Sequence, residues 1–330
     1  MNQKPKIILD VDTGSDDAIA IMMAELASPL DLVAVCTTWN QPIENTTDNT
    51  LRVLQLVESR VPVYKGAPTA MVKYLSPLRA RGGRTNPKFF KNGKTVQLHQ
   101  DFTNLPKSNK KIEKEDASSF YVEYLNTTET PITLVLCGPM TNFALALTMD
   151  PAIVRNIKEI VIMGGGYATS NVTLSAESNV WRDPEAAEKT INCGAKITLI
   201  PLDATHQALL SKQDCTRLRD IGTPASIFAT EMIEHRIEVY DQTQPLHGKG
   251  VAPIHDALCI AYLIDKSVLL NVRHCHCEVD CSDGPGQGTT LIDNRVRAEP
   301  PNINLALGAD KDLFLELLEI VLNNTHRGLS

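Results

Sequence analysis

Apolar positions along this chain follow two alternating rhythms. Short aliphatic or β-branched runs predict strands at Lys6–Leu9, Leu32–Val35, Ile132–Leu136, Glu159–Met163 and Lys196–Ile200. Between them, apolar residues recur every three or four positions. This spacing predicts helices over Asp17–Ala27, Thr46–Glu58, Ala117–Asn126, Met140–Met149 and Pro184–Asn192. Asp183 before Pro184 reads as an N-cap followed by proline at the first helical position. The second half adds helices at Thr223–Tyr240, Asp256–Ile264 and Lys311–Asn323, and strands around Val272–Cys281 and Asn302–Leu305. Alternation of this kind makes an α/β fold with a mostly parallel central sheet flanked by helices. No repeat, low-complexity tract or shift in composition divides the chain, so residues 1–330 read as a single domain. Residues 74–116 break the rhythm with Gly, Pro, Lys and Asn, and read as a flexible loop or insertion. A lid over a site and a plain surface insertion are both open readings of it. The charge run Lys107–Asp116 reads as solvated.

Composition narrows the classes. The 330 residues, 43% of them hydrophobic, are enough to bury a large core. A net charge of −7 argues against a nucleic-acid partner. No uninterrupted apolar stretch reaches membrane-spanning length, and the first residues lack the apolar core of a secretion signal. Eight cysteines in so long a chain do not suggest a disulfide framework, so a reducing, cytoplasmic setting is expected.

Candidate chemistry gathers where strands end. Asp10, Asp12, Asp16 and Asp17 crowd the turn from the first strand into the first helix. That is where open α/β sheets bind ligands. Close carboxylates repel, and a hard cation such as Ca²⁺ would relieve them. Helix capping by Ser15 or Asp16 is the plain alternative, and it accounts for only one or two of the four. In LCGPMTN, the Gly138–Pro139 turn leaves the Cys137 carbonyl facing the same edge, available to a cation. The Cys137 thiol has no activating partner in the sequence. The glycines of VIMGGGY fit close approach to a small ligand as well as they fit a phosphate cradle. In AESN, Glu177 and Asn179 would share a face of an extended segment and suit sugar hydroxyls, or form a surface pair. His255 and Asp256 open a wholly apolar helix, Asp256 as cap or metal ligand and His255 as an acid near the chemistry. His206 lacks such context and reads as structural. HCHCEVDC suggests zinc at first sight. On a strand, however, Cys275, Cys277 and Cys281 face opposite to His274 and His276, which one ion does not easily bridge.

Taken together, DVDTGSDD, MGGGY, AESN, DPEAA and IHD, in that order from Ile7 to about Asn323, resemble the calcium-dependent nucleoside hydrolases of inosine–uridine preferring type. The resemblance implies one α/β domain, a homodimer or homotetramer, a ribonucleoside substrate and a bound Ca²⁺. It makes Asp12 both calcium ligand and general base, Asp17 and Asp256 further ligands, and the Cys137 carbonyl the backbone ligand. Ribose contacts fall on Asp16, Asn40, Met163, Glu177 and Asn179. Asp10 falls on a supporting position, and His255 on the histidine that assists the leaving base. Two departures bear on base recognition. The loop after the third strand carries Arg79, Arg81, Arg84 and Phe89 where a His-Gly pair is usual. Trp39 stands where a small residue is usual, either stacking near the base or packing in the core. Cations and an indole suit a 6-oxopurine, so purine nucleosides such as inosine and guanosine are expected ahead of a broad inosine/uridine or pyrimidine preference. Two rival classes fit less well. A dehalogenase-type phosphatase would share Asp10 and Asp12, but Gly14 takes the expected Thr/Val place and no phosphate-binding lysine follows. A non-catalytic nucleoside-binding protein would have no need of an intact Asp12, Asp17, Asp256 and His255.

Overall fold

The computed structural model describes residues 4–72, 87–99, 101, 103–246 and 248–324. Its first apolar run forms β1 (Lys6–Val11), an interior strand of an eight-stranded sheet. Side chains alternate across a strand, so Ile7, Leu9 and Val11 enter one core layer and Ile8 the other. Burial on both faces is why the run is continuously apolar.

The strands are β1, β2 (Asp31–Thr37), β3 (Val63–Lys65), β4 (Lys88–Lys91), β5 (Lys94–Gln97), β6 (Ile132–Leu136), β7 (Ile157–Met163) and β8 (Ile197–Ile200). They continue with β9 (Leu209–Ser211), β10 (Val251–Pro253), β11 (Leu269–Cys275), β12 (Cys277–Val279), β13 (Thr290–Ile292) and β14 (Ile303–Ala309). The helices are α1 (Ser15–Leu26), α2 (Ile43–Leu56), α3 (Ala117–Thr127), α4 (Thr141–Met149), α5 (Ser178–Arg182), α6 (Pro184–Ile191), α7 (Leu202–Thr205), α8 (Lys212–Asp220), α9 (Pro224–Thr243), α10 (His255–Ile264) and α11 (Lys311–Leu322). The main sheet runs β11-β14-β8-β7-β6-β1-β2-β3, parallel throughout except for β11 against β14. From β1 the chain builds outward to β2 and β3, then returns to β6 on the other side. That reversal opens a crevice at the C-terminal ends of β1 and β6, where ligands dock in such sheets. One core layer joins α1 to α10, α9 and α11, and the other holds α3, α4 and α6.

Two stretches differ from the sequence reading. Within residues 74–116, β4 and β5 form an antiparallel hairpin turning at Asn92–Gly93, both with positive φ. An Asn-Gly pair favours this kind of turn. The hairpin leans on α9: His235 Nε2 bonds the Gln97 carbonyl at 2.7 Å, and Lys91 pairs with Glu238. The expected strand Val272–Cys281 breaks at His276, where the chain leaves β14 and pairs β12 with β13 instead. His276 Nδ1 sits 3.0 Å from the Pro300 carbonyl at that break. Among the described residues, no helix is long and apolar enough to cross a membrane.

Candidate active site

The β1–α1 turn folds around its own acids. The expected cap, Ser15 or Asp16, is not the one used: Gly14 is the N-cap, and Asp17 accepts from the backbone N–H of Gly14 (2.9 Å) and of Asp12 (3.1 Å). Capping thus explains Asp17 alone. Asp10 lies below the turn, accepting from Tyr121 Oη (3.0 Å) and Asn142 Nδ2 (3.1 Å), while Asn142 also bonds the Thr37 carbonyl. It ties β1 to β2, α3 and α4 rather than facing the crevice. Burial pushes the Asp10 carboxyl up to about 7, against the pull of those two donors.

Above it, a cavity of about 70 Å³ is lined by Asp12, Asp16, Asp17, Asn40, Cys137, Met163, Glu177, Asn179, His255 and Asp256. These residues come from six separate places in the chain, and every residue expected at the site except Asp10 is among them. Carboxylate oxygens of Asp16, Asp17 and Asp256 lie within 4.8 Å of one another. Burial, then the charges of Asp12 and Asp16, hold Asp17 well above the usual carboxylate range. Burial, then Asp16 and Asp17, do the same for Asp256. Asp12 is raised to about 6 by burial, opposed by its hydrogen bond with Asn40. Such a set is unstable as bare anions: it takes up protons or a cation. Buried, all-oxygen donors suit a hard divalent ion.

On the opposite wall only His255 was read from the sequence; Arg236, Tyr240 and His99 were not. Arg236, only 1% exposed, reaches from α9 to Asp16 Oδ1 at 2.7 Å and Ser15 Oγ at 3.0 Å. Tyr240, one turn later, meets His255 Nε2 at 3.1 Å, and His255 Nδ1 meets Thr205 Oγ1 at 2.8 Å. His99, just after the hairpin, lines the same cavity. A Cβ on Gly14 would fall 2.3 Å from His99 Nδ1, so the close approach depends on glycine there. Burial pushes His99 down to about 4 and His255 well below the usual imidazole value; for His255, Arg236 is the next cause.

Comparison with known proteins decides the family. Residues 7–316 match the family described as inosine-uridine preferring nucleoside hydrolase. The chain belongs to the nucleoside hydrolases. It is 34% identical over 319 residues to the pyrimidine-specific ribonucleoside hydrolase RihB of Escherichia coli, covering 96% of each chain. Among solved structures, the purine-preferring ribonucleoside hydrolase from Gardnerella vaginalis is similar, with TM-score 0.82, 30% identity and coverage of 96% of this chain and 98% of that one. A plant nucleoside hydrolase gives TM-score 0.83 at 26% identity, with 97% and 99% covered.

Several expectations change in this nucleoside hydrolase fold. Glu177 and Asn179 are not on an extended segment. Glu177 is the N-cap of α5, accepting from the N–H groups of Asn179 and Val180, and from Gly165 at 3.0 Å. Burial still raises it to about 7. The Cys137 carbonyl is not free: Asn179 Nδ2 donates to it at 2.9 Å and to the Met163 carbonyl at 3.1 Å. A carbonyl has two lone pairs, so one remains. Asp16, placed on ribose by resemblance, stands within the tight carboxylate group, and Asp12 stands outside it. The glycine run serves internal packing: Gly165, at φ 72°, turns its N–H to Glu177, and Gly166 bonds Thr290. Trp39 donates from Nε1 to Thr141 Oγ1 at 3.0 Å, with the Arg182 guanidinium 5.9 Å from its ring, and does not line the cavity. His206 packs its ring 5.7 Å from that of His255. Cys275 and Cys277 are buried in one core layer while His274 is exposed. Phe89 packs against the core from β4; Arg79, Arg81 and Arg84 lie outside the described residues.

Proposed function

We propose that this chain hydrolyses the N-glycosidic bond of ribonucleosides to ribose and free base, with Asp12 as general base and Ca²⁺ as its resident ion. The observation that carries the reading is the meeting of Asp12, Asp16, Asp17, Glu177, Asn179, His255 and Asp256 on one cavity at the sheet's C-terminal edge. Asp17 and Asp256 would hold the ion, with Asp12 and the spare lone pair of Cys137 O added by resemblance. Calcium bound there would make water more acidic and favour the sugar's vicinal hydroxyls. Asp12 takes the proton from the attacking water. Asp16, Asn40, Met163, Glu177 and Asn179 hold the ribose. The acid wall stabilises the positive charge that develops at C1′. By resemblance His255, hydrogen-bonded to Tyr240 on the cavity wall, assists departure of the base.

Inosine and guanosine remain the first reading for the base from the sequence, while Arg236 offers a cation to a ring carbonyl that uracil and cytosine carry as well. With Trp39 tied to Thr141, the indole no longer supports that reading. The likeness to a pyrimidine-specific hydrolase favours uridine and cytidine as the second. A homodimer or homotetramer in the cytoplasm completes the proposal. The test is a panel of the five common ribonucleosides, assayed for free base before and after strong chelation, then with calcium restored. Release of base from at least one nucleoside, lost on chelation and regained with calcium, is expected. No release from any of them would overturn the activity, and indifference to chelator would remove the ion.

A further inference from the structure

We propose that Arg236 is a catalytic residue on the leaving-group side, stabilising the negative charge that develops on the departing base and favouring bases that carry a ring carbonyl. This rests on the nucleoside-hydrolysing reading above. The geometry begins with α9, where Arg236 shares the buried side with Ile233, Ile237 and Tyr240. Its Nε donates to the Pro253 carbonyl at 3.0 Å, and Nη1 to Ser15 and Asp16. A guanidinium has five donors in a fixed fork. The pair on Nη2 takes no part in those three bonds. The guanidinium lies 5.6 Å from the Tyr240 ring and also hydrogen-bonds Tyr240, and Arg236 lines the cavity alongside Tyr240, His99 and His255. Anchoring two of its three nitrogens fixes where the third points, which is the preorganisation that electrostatic catalysis requires.

His255 is poorly placed to do this work alone. Both its ring nitrogens already meet partners, Tyr240 Oη and Thr205 Oγ1. Asp16 has a second duty in this arrangement: it holds the guanidinium in place while standing among the carboxylates that face the sugar. In the step itself, the C1′–N bond breaks and its electron pair stays on the base nitrogen, spreading onto the ring carbonyl. The water oxygen bonds to C1′, one water proton goes to Asp12, and the base acquires its proton from solvent. Arg236 donates hydrogen bonds throughout and transfers no proton.

The test compares substrates that need this help with one that does not. On uridine and inosine, Arg236→Gln should lower kcat/KM by roughly 10²–10³-fold. On p-nitrophenyl riboside, whose phenolate leaves unaided, the loss should be about tenfold or less. Arg236→Lys keeps a charge without the fork. It guards against a misfolded glutamine variant and should show the same unequal losses at smaller size. In the unmodified enzyme, adenosine, whose base has no ring carbonyl, should be the poorest of the five ribonucleosides. Equal losses on all substrates would mean that Arg236 only positions Asp16, and would overturn the inference; so would no loss. If the unmodified enzyme cleaves p-nitrophenyl riboside but no nucleoside, the broader reading fails first, and is told apart by that result.

Discussion

The two walls of the cavity are built in opposite ways. The acid wall comes largely from one turn, Asp12, Asp16 and Asp17, completed by Asp256 at the start of α10. The facing wall is assembled from His99 after a hairpin, Arg236 and Tyr240 inside a helix, and His255. Burial drives the titratable groups of both walls towards neutrality. It raises Asp12, Asp17 and Asp256 and lowers His99 and His255. The guanidinium is the group that keeps its charge throughout, and it is shared between the walls through Asp16. A dense local motif thus marks the acid wall, while Arg236, Tyr240 and His99 of the facing wall stand in no motif and only His255 does.

The strongest blow to the acid wall is Asp12→Asn. Loss of the base should cut kcat by roughly 10²–10⁴-fold with the fold intact by circular dichroism. Retention of more than a tenth of the activity would move the base elsewhere. On the facing wall, His255→Ala should cost about 10²-fold on inosine or uridine and markedly less on p-nitrophenyl riboside. Matching losses would deny it any part in departure of the base.

A third experiment sets the walls against each other by pH. In the metal-free protein, Asp10 and Glu177 titrate near 7, far above an unfolded carboxyl. The folded state therefore binds their protons more tightly. The stability this gives is full below about pH 4 and is lost as pH rises through about 7. Buried histidines oppose it only at pH values low enough to charge an unfolded imidazole, about 6.5 and below. Tm of the chelated protein should thus be higher at pH 6.5 than at pH 8, and added calcium should narrow the gap. A Tm that rises with pH over this interval would contradict the buried-acid account. The smallest effect is expected at Trp39→Phe, which removes the bond to Thr141 at a cost of about 1 kcal/mol. Activity should stay within about twofold; a large and base-dependent loss would return the indole to the base site.

Legibility in the sequence follows the same division. The sheet, its helices and the acid turn were readable because apolar periodicity and clustered aspartates are local signals. Glu177 and Asn179 do line the cavity, but as the start of α5 rather than as an extended pair, since a cap and an extended pair share the same residue types. The break at His276 was hidden because β11 and β12 run on with no proline or glycine between them. His99 had no local pattern to betray it, although the Asn92–Gly93 pair before it did signal a hairpin. Arg236 left one trace: a charged residue on the apolar stripe of α9, with Ile233 before it and Ile237 and Tyr240 after it. That trace was readable in the helical spacing of Thr223–Tyr240.

The Asp16–Arg236 pair joins residues 220 positions apart. A ribosome adding about 5–20 residues per second delivers the guanidinium roughly 11–44 s after the aspartate. For that interval Asp16 lacks its guanidinium partner, and Asp256 arrives later still. A chain cut short before α9 would carry six of the eight main-sheet strands but neither Arg236, Tyr240, His255 nor Asp256, so the last third of translation supplies the facing wall of the pocket and the final acid.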